Sequence, residues 1–257
     1  RVLGVSKRTR ANSKAFLHPD LPRPHQGVGA WVGRPVWNEL RRPKEFRELR
    51  ESELWSGEGM PEGRGRPVLL VPGFLASKTS ADALEHILTN AGWTARQAPL
   101  GRNFGPAIEA IATMRRLAEE LTEETGKKVS IVGHSRGGQF GRVLAVQNPE
   151  LVKQVIAVGS PLRTKYPKYL VVKVPAEILD KAWRVGAFGY TNPADEDLVD
   201  ELRHAPFPKG VELITVASKV DGVIDWLLTL DTAATATIEV VSSHQGLFNG
   251  IAGVRGV

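Results

Sequence analysis

Ser135 stands in a short sequence pattern that is typical of a covalent nucleophile. It is the central residue of a G-x-S-x-G pattern, residues 133–137, which directly follows an apolar run at 129–132. A strand that turns sharply into a helix strains the backbone of the central residue and lifts its side chain above the sheet. The free N–H groups of the first helical turn can then hold an anion beside that side chain. We therefore predict that Ser135 is a nucleophile.

A serine hydroxyl needs a base to remove its proton, and histidine is the side chain that most often does so. In enzymes with this serine turn, a carboxylate and then a histidine follow the serine along the chain. Only His204 and His244 follow Ser135. His204 lies in a stretch with no clear strand–helix unit, whereas His244 comes just after the last strand-like apolar run. We predict His244 as the base rather than an ordinary surface histidine.

Two aspartates compete for the role of the acid that orients the histidine. Asp221 lies four residues beyond an apolar run at 211–217, and Gly222 allows the chain to turn there. Asp225 lies one helical turn further on. The spacing favours Asp221, and we expect the other carboxylate to cap a helix or to face solvent.

The negative charge that develops on an attacked carbonyl oxygen needs two N–H donors that are already in place. Arg136, the residue after the nucleophile, supplies one of them. The second is expected from the loop after the apolar run at 68–71, where Gly73 lets the N–H of Phe74 turn inward. The Arg136 side chain is expected either to meet an acidic substrate or to be solvated or salt-bridged. We expect His134 to pack beneath the turn without a catalytic role.

Apolar runs that suit strands alternate with amphipathic stretches that suit helices from residue 68 to residue 241. This alternation predicts an α/β fold with a mostly parallel sheet and helices on both faces. We predict strands at 68–71, 94–100, 129–133, 152–158, 211–217 and 235–241, and helices at 80–91, 106–125, 136–147, 176–185 and 195–203. The alternation breaks at about 162–209, which we interpret as a helical cap above the strand ends, where ligands bind in such sheets. The alternative is a plain surface excursion.

The excess of positive charge lies in the first quarter of the chain. The whole chain has 34 Lys and Arg residues and 28 Asp and Glu residues, which give a net charge of +6. Residues 1–66 contain 14 of the basic residues and 8 of the acidic ones. We therefore divide the chain into a basic N-terminal extension, 1–66, and a main domain, 67–257. A basic extension can attract an acidic surface. No nucleic-acid motif accompanies it, so we expect a solvated arm with no nucleic-acid partner, and one or two short amphipathic helices at 36–55.

Composition excludes several classes of protein. The chain has no cysteine, which excludes disulfides, thiolate metal sites and a cysteine nucleophile. Its 257 residues suffice for one sizeable α/β domain, and no apolar stretch is as long as a membrane-spanning helix. The first residues lack the apolar core of a signal peptide, which slightly favours a cytoplasmic location, although a leader could precede Arg1.

Four motifs, taken in order, make the chain similar to the α/β-hydrolase superfamily, in particular to bacterial lipase- and esterase-like serine hydrolases. They are the oxyanion strand and loop at 71–74, the nucleophile turn at 133–138, the acid loop at 220–224 and the histidine loop at 243–247. The segment 99–105 is also similar to one that these bacterial proteins carry, whereas Pro72 stands where many members have His. The resemblance spans residues 66–250 and implies an α/β-hydrolase domain without a metal or organic cofactor.

This resemblance implies a carboxylic ester hydrolase, an esterase or lipase. Ser135, His244 and Asp221 would form its catalytic triad, and Phe74 and Arg136 would supply its oxyanion hole. Its substrate would be a small-molecule or lipid ester, cleaved through an acyl-enzyme intermediate. An acyltransferase or lactone-forming enzyme would use the same intermediate, and a non-catalytic ligand-binding protein can share the fold. The sequence leaves the natural substrate, the acyl-chain length and the oligomeric state open.

Overall fold

A six-stranded parallel sheet forms the centre of the molecule. The computed structural model describes residues 35–76, 79–162 and 193–257. The strands are β1 (Pro67–Val71), β2 (Thr94–Gln97), β3 (Val129–His134), β4 (Val152–Val158), β5 (Glu212–Ser218) and β6 (Ala236–Val240). They are arranged in the order β2-β1-β3-β4-β5-β6, and every neighbouring pair is parallel. The predicted fold class is therefore confirmed.

The second strand ends three residues before its predicted end. The sequence predicts a strand over 94–100, whereas β2 ends at Gln97. The N–H of Ala98 still donates to the carbonyl of Leu70 at 2.8 Å. Pro99 follows, and because proline has no N–H it cannot continue the ladder of hydrogen bonds. The chain leaves the sheet there.

Helices cover both faces of the sheet. They are α1 (Pro35–Asn38), α2 (Arg42–Arg50), α3 (Asp82–Asn90), α4 (Ala107–Thr125), α5 (Arg136–Gln147), α6 (Pro193–His204), α7 (Gly246–Asn249) and α8 (Ile251–Val254). Among the described residues, the short 3-10 segments are Glu39–Arg41, Glu53–Ser56 and Trp226–Thr229. Of the predicted cap at 162–209, only Leu162 and the part from Pro193 onward are described. The predicted helix at 176–185 lies outside the described residues.

The core has two layers because successive strand residues point to opposite faces of the sheet. On one face, side chains of β1, β3 and β4 pack with α4, α5 and α6, and this layer includes Leu69, Ile131 and Phe140. On the other face, the alternate side chains pack with α2, α3, α7 and α8, and this layer includes Leu70 and Phe248. The central strands are thus buried on both faces, which holds their carboxyl ends in fixed positions.

The segment before the sheet contributes to the second layer. Leu49 of α2 and Leu54 of the following 3-10 segment are buried in it, with exposed fractions of 0% and 2%. The N–H of Gly63 also donates to the carbonyl of Ala91 at 2.7 Å. Residues 42–56 therefore pack against the sheet domain, with α2 forming part of the predicted amphipathic stretch. Within the described part of the chain, no helix is both long and apolar enough to cross a bilayer.

A buried ion pair joins α5 to the loop before β6. The Nε of Arg142 lies 2.8 Å from Oδ2 of Asp231, and the two side chains are only 6% and 10% exposed. Arg142 also donates from Nη2 to the carbonyl of Ala205 at 3.1 Å. Loss of the carboxylate would leave a cation in the core, and such a cation is very poorly stabilised there.

We predict that Asp231→Ala lowers the free energy of unfolding by about 3–5 kcal/mol, because it leaves Arg142 buried and unpaired. The matched control is Glu119→Ala, which removes an exposed pair with Arg115 at 3.8 Å and should cost less than about 1 kcal/mol. Urea unfolding of the two variants and the wild type measures both values. Equal losses in the two variants would contradict this account of the core.

Candidate active site

Ser135 occupies a strained turn between β3 and α5. Its backbone angles are φ 52° and ψ −118°, a conformation that residues other than glycine rarely adopt. Its N–H donates to the carbonyl of Val158 at 2.8 Å, and its carbonyl accepts from Gly138 at 3.1 Å. The neighbouring strand and the first turn of α5 thus hold the serine in this conformation. This is the backbone geometry that the G-x-S-x-G pattern predicts.

Glycine is required at two positions of the turn because other backbone segments pass close by. A Cβ atom at Gly133 would lie 2.5 Å from backbone atoms of Gly137 and Gly138. A Cβ atom at Gly137 would meet the carbonyl oxygens of Val71 and Pro72. A backbone cannot move aside as a flexible side chain can. The turn is therefore built tightly against itself and against the loop that follows β1.

Asp221 and His244 form a buried hydrogen-bonded pair. Asp221 lies in the loop after β5 and His244 in the loop after β6, and Nδ1 of His244 is 2.7 Å from Oδ2 of Asp221. The exposed fractions of the two residues are 4% and 3%. The other carboxylate oxygen, Oδ1, accepts from the N–H groups of Val223 and Ile224 at 2.7 and 2.8 Å. The carboxylate is therefore fixed on both sides and faces the imidazole.

Asp225, the competing aspartate, has a different partner. It is the N-cap of the 3-10 segment Trp226–Thr229, and its Oδ1 accepts from the N–H of Leu227 at 3.1 Å. The residue is buried, with an exposed fraction of 6%. Nδ1 of His244 donates to Asp221, whereas Asp225 caps the 3-10 segment.

Gly159 links the aspartate–histidine pair to the serine turn. It directly follows Val158, whose carbonyl binds the N–H of Ser135. A Cβ atom at Gly159 would lie 3.3 Å from Nδ1 of His244 and 3.4 Å from Oδ2 of Asp221. Ser135, Asp221 and His244 therefore lie around the carboxyl end of β4, at one edge of the sheet. Their chain positions, 135, 221 and 244, converge there because parallel strands end on the same side.

The loop after β1 lies directly against the serine turn. A Cβ atom at Gly73 would lie 3.1 Å from Cβ of Ser135, so the backbone next to Phe74 passes very close to the serine. Asn103 anchors this loop, since its Nδ2 donates to the carbonyl of Pro72 at 2.6 Å. The loop therefore lies against both the serine and the first turn of α5, which begins at Arg136.

The Arg136 side chain ties the segment after β2 to the serine turn. Its guanidinium donates to the carbonyls of Asn103 and Gly105, each at 2.9 Å. It also lies over the ring of Phe140, 4.7 Å from the ring centroid. The sequence analysis expected this side chain to meet substrate, solvent or an acidic partner. The structure shows two further partners of this side chain, the backbone carbonyls of Asn103 and Gly105, which lie 33 and 31 residues earlier in the chain.

His134 packs beneath the turn, as expected. Its ring stacks on Phe248 with centroids 5.1 Å apart, and its Nε2 donates to the backbone carbonyl of His244 at 2.9 Å. Burial, together with the positive charge of His244 when protonated, holds the pKa of His134 well below its usual value. His134 is therefore a neutral side chain that supports the backbone of the histidine loop.

His244 has the opposite electrostatic balance. Burial disfavours its charged form and lowers its pKa. The charge of Asp221, the hydrogen bond that the imidazole donates to that carboxylate and the charge of Glu39 act in the other direction and outweigh burial. The pKa of His244 is therefore raised above the ordinary value of histidine. An imidazole in this setting accepts a proton readily, as a general base must.

Sequence analysis missed two acidic residues that contact the histidine loop. Oε1 of Glu39 accepts from the N–H of His244 at 2.7 Å, and Oε1 of Glu45 accepts from the N–H of Ser243 at 3.0 Å. Both come from the segment that was interpreted as a basic extension. Helical spacing indicates a helix at 36–55, but nothing in the spacing indicates which distant loop its acidic residues would contact.

Comparison with known proteins agrees with this fold. Residues 84–182 match the sequence model of the family described as Lipase (class 2). The crystal structure of mature Bacillus licheniformis lipase BlEst2 superposes with a TM-score of 0.52 at 16% identity, covering 76% of this chain and 90% of that chain. The propeptide form of the same lipase gives the same TM-score and identity, covering 76% of this chain and 49% of that chain.

The fold and the family match support the same interpretation. The parallel sheet and the strained serine turn are features of the α/β-hydrolase fold, and the structural likeness to the Bacillus lipase supports that fold. The match to the class 2 lipase family covers residues 84–182, a part of the chain that includes the serine turn. The family match supports activity as an ester hydrolase.

The tight packing of the turn gives a direct test. We predict that Gly133→Ala lowers the free energy of unfolding by about 3 kcal/mol or more, since the added methyl group meets rigid backbone at 2.5 Å. Gly105→Ala is the control, because a Cβ atom there has no other atom within 4 Å, and its effect should stay within about 0.5 kcal/mol. Denaturant unfolding measures both. A Gly133→Ala protein as stable as Gly105→Ala would rule out the packing described.

Proposed function

We propose that this protein is a carboxylic ester hydrolase in which Ser135 is the nucleophile, His244 the general base and Asp221 the residue that orients the base. The observation that carries the proposal is the buried 2.7 Å hydrogen bond between His244 and Asp221 beside the strained serine turn. A carboxylate bound to Nδ1 fixes the imidazole in the tautomer that carries its proton there. Nε2 is then left with a free lone pair for the serine proton.

The reaction begins when the Ser135 oxygen attacks the carbonyl carbon of the ester. His244 takes the serine proton at Nε2, and the carbonyl oxygen becomes an oxyanion in a tetrahedral intermediate. The backbone N–H groups of Phe74 and Arg136 are proposed to hold that oxyanion. As the intermediate collapses, the bond to the alcohol breaks and His244 returns the proton to the leaving oxygen. An acyl group remains on Ser135.

Water completes the cycle by the same steps. It attacks the acyl carbonyl while His244 accepts one of its protons, and a second oxyanion forms. The bond to the Ser135 oxygen then breaks, the serine regains its proton from His244 and the carboxylic acid leaves. Asp221 stays ionised throughout and stabilises the imidazolium that forms in each half of the reaction. No step in this scheme calls for a cofactor.

Replacement of the nucleophile tests the proposal. We predict that Ser135→Ala lowers kcat for hydrolysis of p-nitrophenyl butyrate by at least about 10⁴-fold, because the attacking oxygen is lost. Ser130→Ala is the control: Ser130 lies on the same strand, and its hydroxyl accepts from Gln154 at 3.2 Å. That variant should keep nearly full activity. Ester hydrolysis by Ser135→Ala at the wild-type rate would refute the proposal.

The two aspartates allow a second test. We predict that Asp221→Asn lowers kcat by about 10³–10⁴-fold, since an amide group facing Nδ1 favours the wrong imidazole tautomer. Asp225→Asn keeps an oxygen that can cap the 3-10 segment and should lower kcat by less than about tenfold. Initial rates at saturating substrate, with circular dichroism to check folding, measure both effects. The reverse order of the two losses would assign the acid to Asp225.

A further inference from the structure

We propose that Glu39 is a positioning residue that fixes the Asp221 loop and the His244 loop relative to each other. Glu45 fixes the adjoining part of the histidine loop. The inference rests on the proposed function, because it assigns a role to Glu39 through those two residues. Neither glutamate touches the site of the serine in the contacts described. Their effect on the reaction is exerted through the loops.

The contacts of Glu39 join two separate loops. Its Oε1 accepts from the N–H of His244 at 2.7 Å and from the N–H of Gly222 at 3.0 Å. Its Oε2 lies 3.4 Å from the N–H of Gln245, which donates to it. Gly222 directly follows Asp221, so one carboxylate binds the backbone next to the proposed acid and the backbone of the proposed base. A shift of either loop would break at least one of these bonds.

Glu45 fixes the next part of the histidine loop. Its Oε1 accepts from the N–H of Ser243 at 3.0 Å and from the hydroxyl of Ser242 at 3.4 Å. Its Oε2 accepts a short hydrogen bond from the Ser243 hydroxyl. A Cβ atom at Gly246 would collide with this carboxylate, so the loop is closely fitted to it. The two glutamates together bind the backbone N–H groups of three successive residues, 243–245.

The segment that carries these glutamates is itself fixed in place. Leu49, which lies one helical turn after Glu45 on α2, is fully buried in the core. Leu54 follows it into the same layer. A carboxylate on an anchored segment loses little further backbone entropy when it binds a loop, so its hydrogen bonds can restrain that loop effectively.

The charge of Glu39 also acts on the imidazole. The titratable groups that face His244 in the described residues are Asp221 from the loop after β5, Glu39 from the N-terminal segment and His134 from the end of β3. Burial lowers the pKa of His244, whereas Asp221 and Glu39 raise it. Loss of the Glu39 charge therefore lowers the pKa of His244, and the base becomes neutral at a lower pH.

This predicts a specific change in the pH profile. The base must be neutral to act, so kcat/KM of the wild type should fall as the pH drops through a pKa above about 6.5. Glu39→Gln keeps an oxygen for the loop N–H groups but removes the charge, so its acidic limb should lie at lower pH. Glu39→Ala removes both and should also lower the plateau of kcat/KM by about 10–100-fold through misalignment.

Glu48→Gln is the matched control. Glu48 lies on α2, which directly follows the 3-10 segment of Glu39; it pairs with Lys44 at 3.6 Å and is 47% exposed, and it has no part in the proposed site. Its pH profile should superimpose on that of the wild type. Thermal unfolding of each variant verifies that it is folded, and Glu39→Gln supplies the test if Glu39→Ala does not fold.

A direct titration separates this inference from the proposed function. The ring protons of His244 are followed by NMR against pH in Ser135→Ala protein, with and without Glu39→Gln. We expect a lower His244 pKa in the double variant. Identical titration curves in the two proteins would overturn the role of Glu39, whatever the kinetics. A shifted curve in a protein whose Ser135→Ala variant still hydrolyses esters would instead support the Glu39 contact and refute the nucleophile.

Discussion

The backbone of Ser135 is the constraint on which the rest of the site depends. A non-glycine residue at φ 52° and ψ −118° costs on the order of 1–3 kcal/mol, and it persists only where its surroundings leave no alternative. Here β4 holds the serine N–H through Val158, and α5 begins at the next residue. Relaxation of the turn would require Gly137 to move into the loop that follows β1. The strain is thus maintained by the packed sheet, which is too rigid to give way.

The same packing brings two imidazoles together under different electrostatic conditions. The ring centroids of His134 and His244 are 4.5 Å apart, so protonation of both would place two positive charges in a buried space. The structure avoids this because burial keeps the pKa of His134 low, while carboxylates keep the pKa of His244 high. One ring can therefore serve as a neutral support for the backbone. The other can change its protonation state without a competing charge beside it.

Sequence patterns predicted the parts of the fold that depend on local periodicity. The start and end of α5, at Arg136 and Gln147, agree with the prediction, because the glycine-rich turn and the nearby Pro149 mark them in the sequence. The strand after α3 was predicted three residues too long, since an apolar pattern does not show where pairing stops. Spacing favoured Asp221 over Asp225 but could not show the hydrogen-bond partners of either aspartate. Asp221 pairs with His244, which lies 23 residues further along the chain, whereas Asp225 binds the nearby N–H of Leu227, and no local pattern predicts the distant partner.

Sequence patterns could not predict the contacts of Glu39 and Glu45 with the distant histidine loop. Net charge identified residues 1–66 as basic, but a net charge says nothing about which residues face inward. On α2 the basic side chains of Arg42, Arg47 and Arg50 are exposed. Glu45 and Leu49, four residues apart, share the opposite face and are partly and fully buried. The positive excess therefore describes the outer surface of this helix, whereas its inner face is acidic and apolar.

The acidic inner face has a thermodynamic consequence. Partly buried carboxylates are costly unless hydrogen-bond donors surround them, and backbone N–H groups withdrawn from water are costly unless they find acceptors. Glu39 and Glu45 meet both requirements at once, since their partners are the backbone N–H groups of the loops after β5 and β6. Separation of residues 39–50 from the sheet would leave both the carboxylates and the loop N–H groups without these partners. The stability of the N-terminal helix and the order of the loops that carry Asp221 and His244 are therefore coupled.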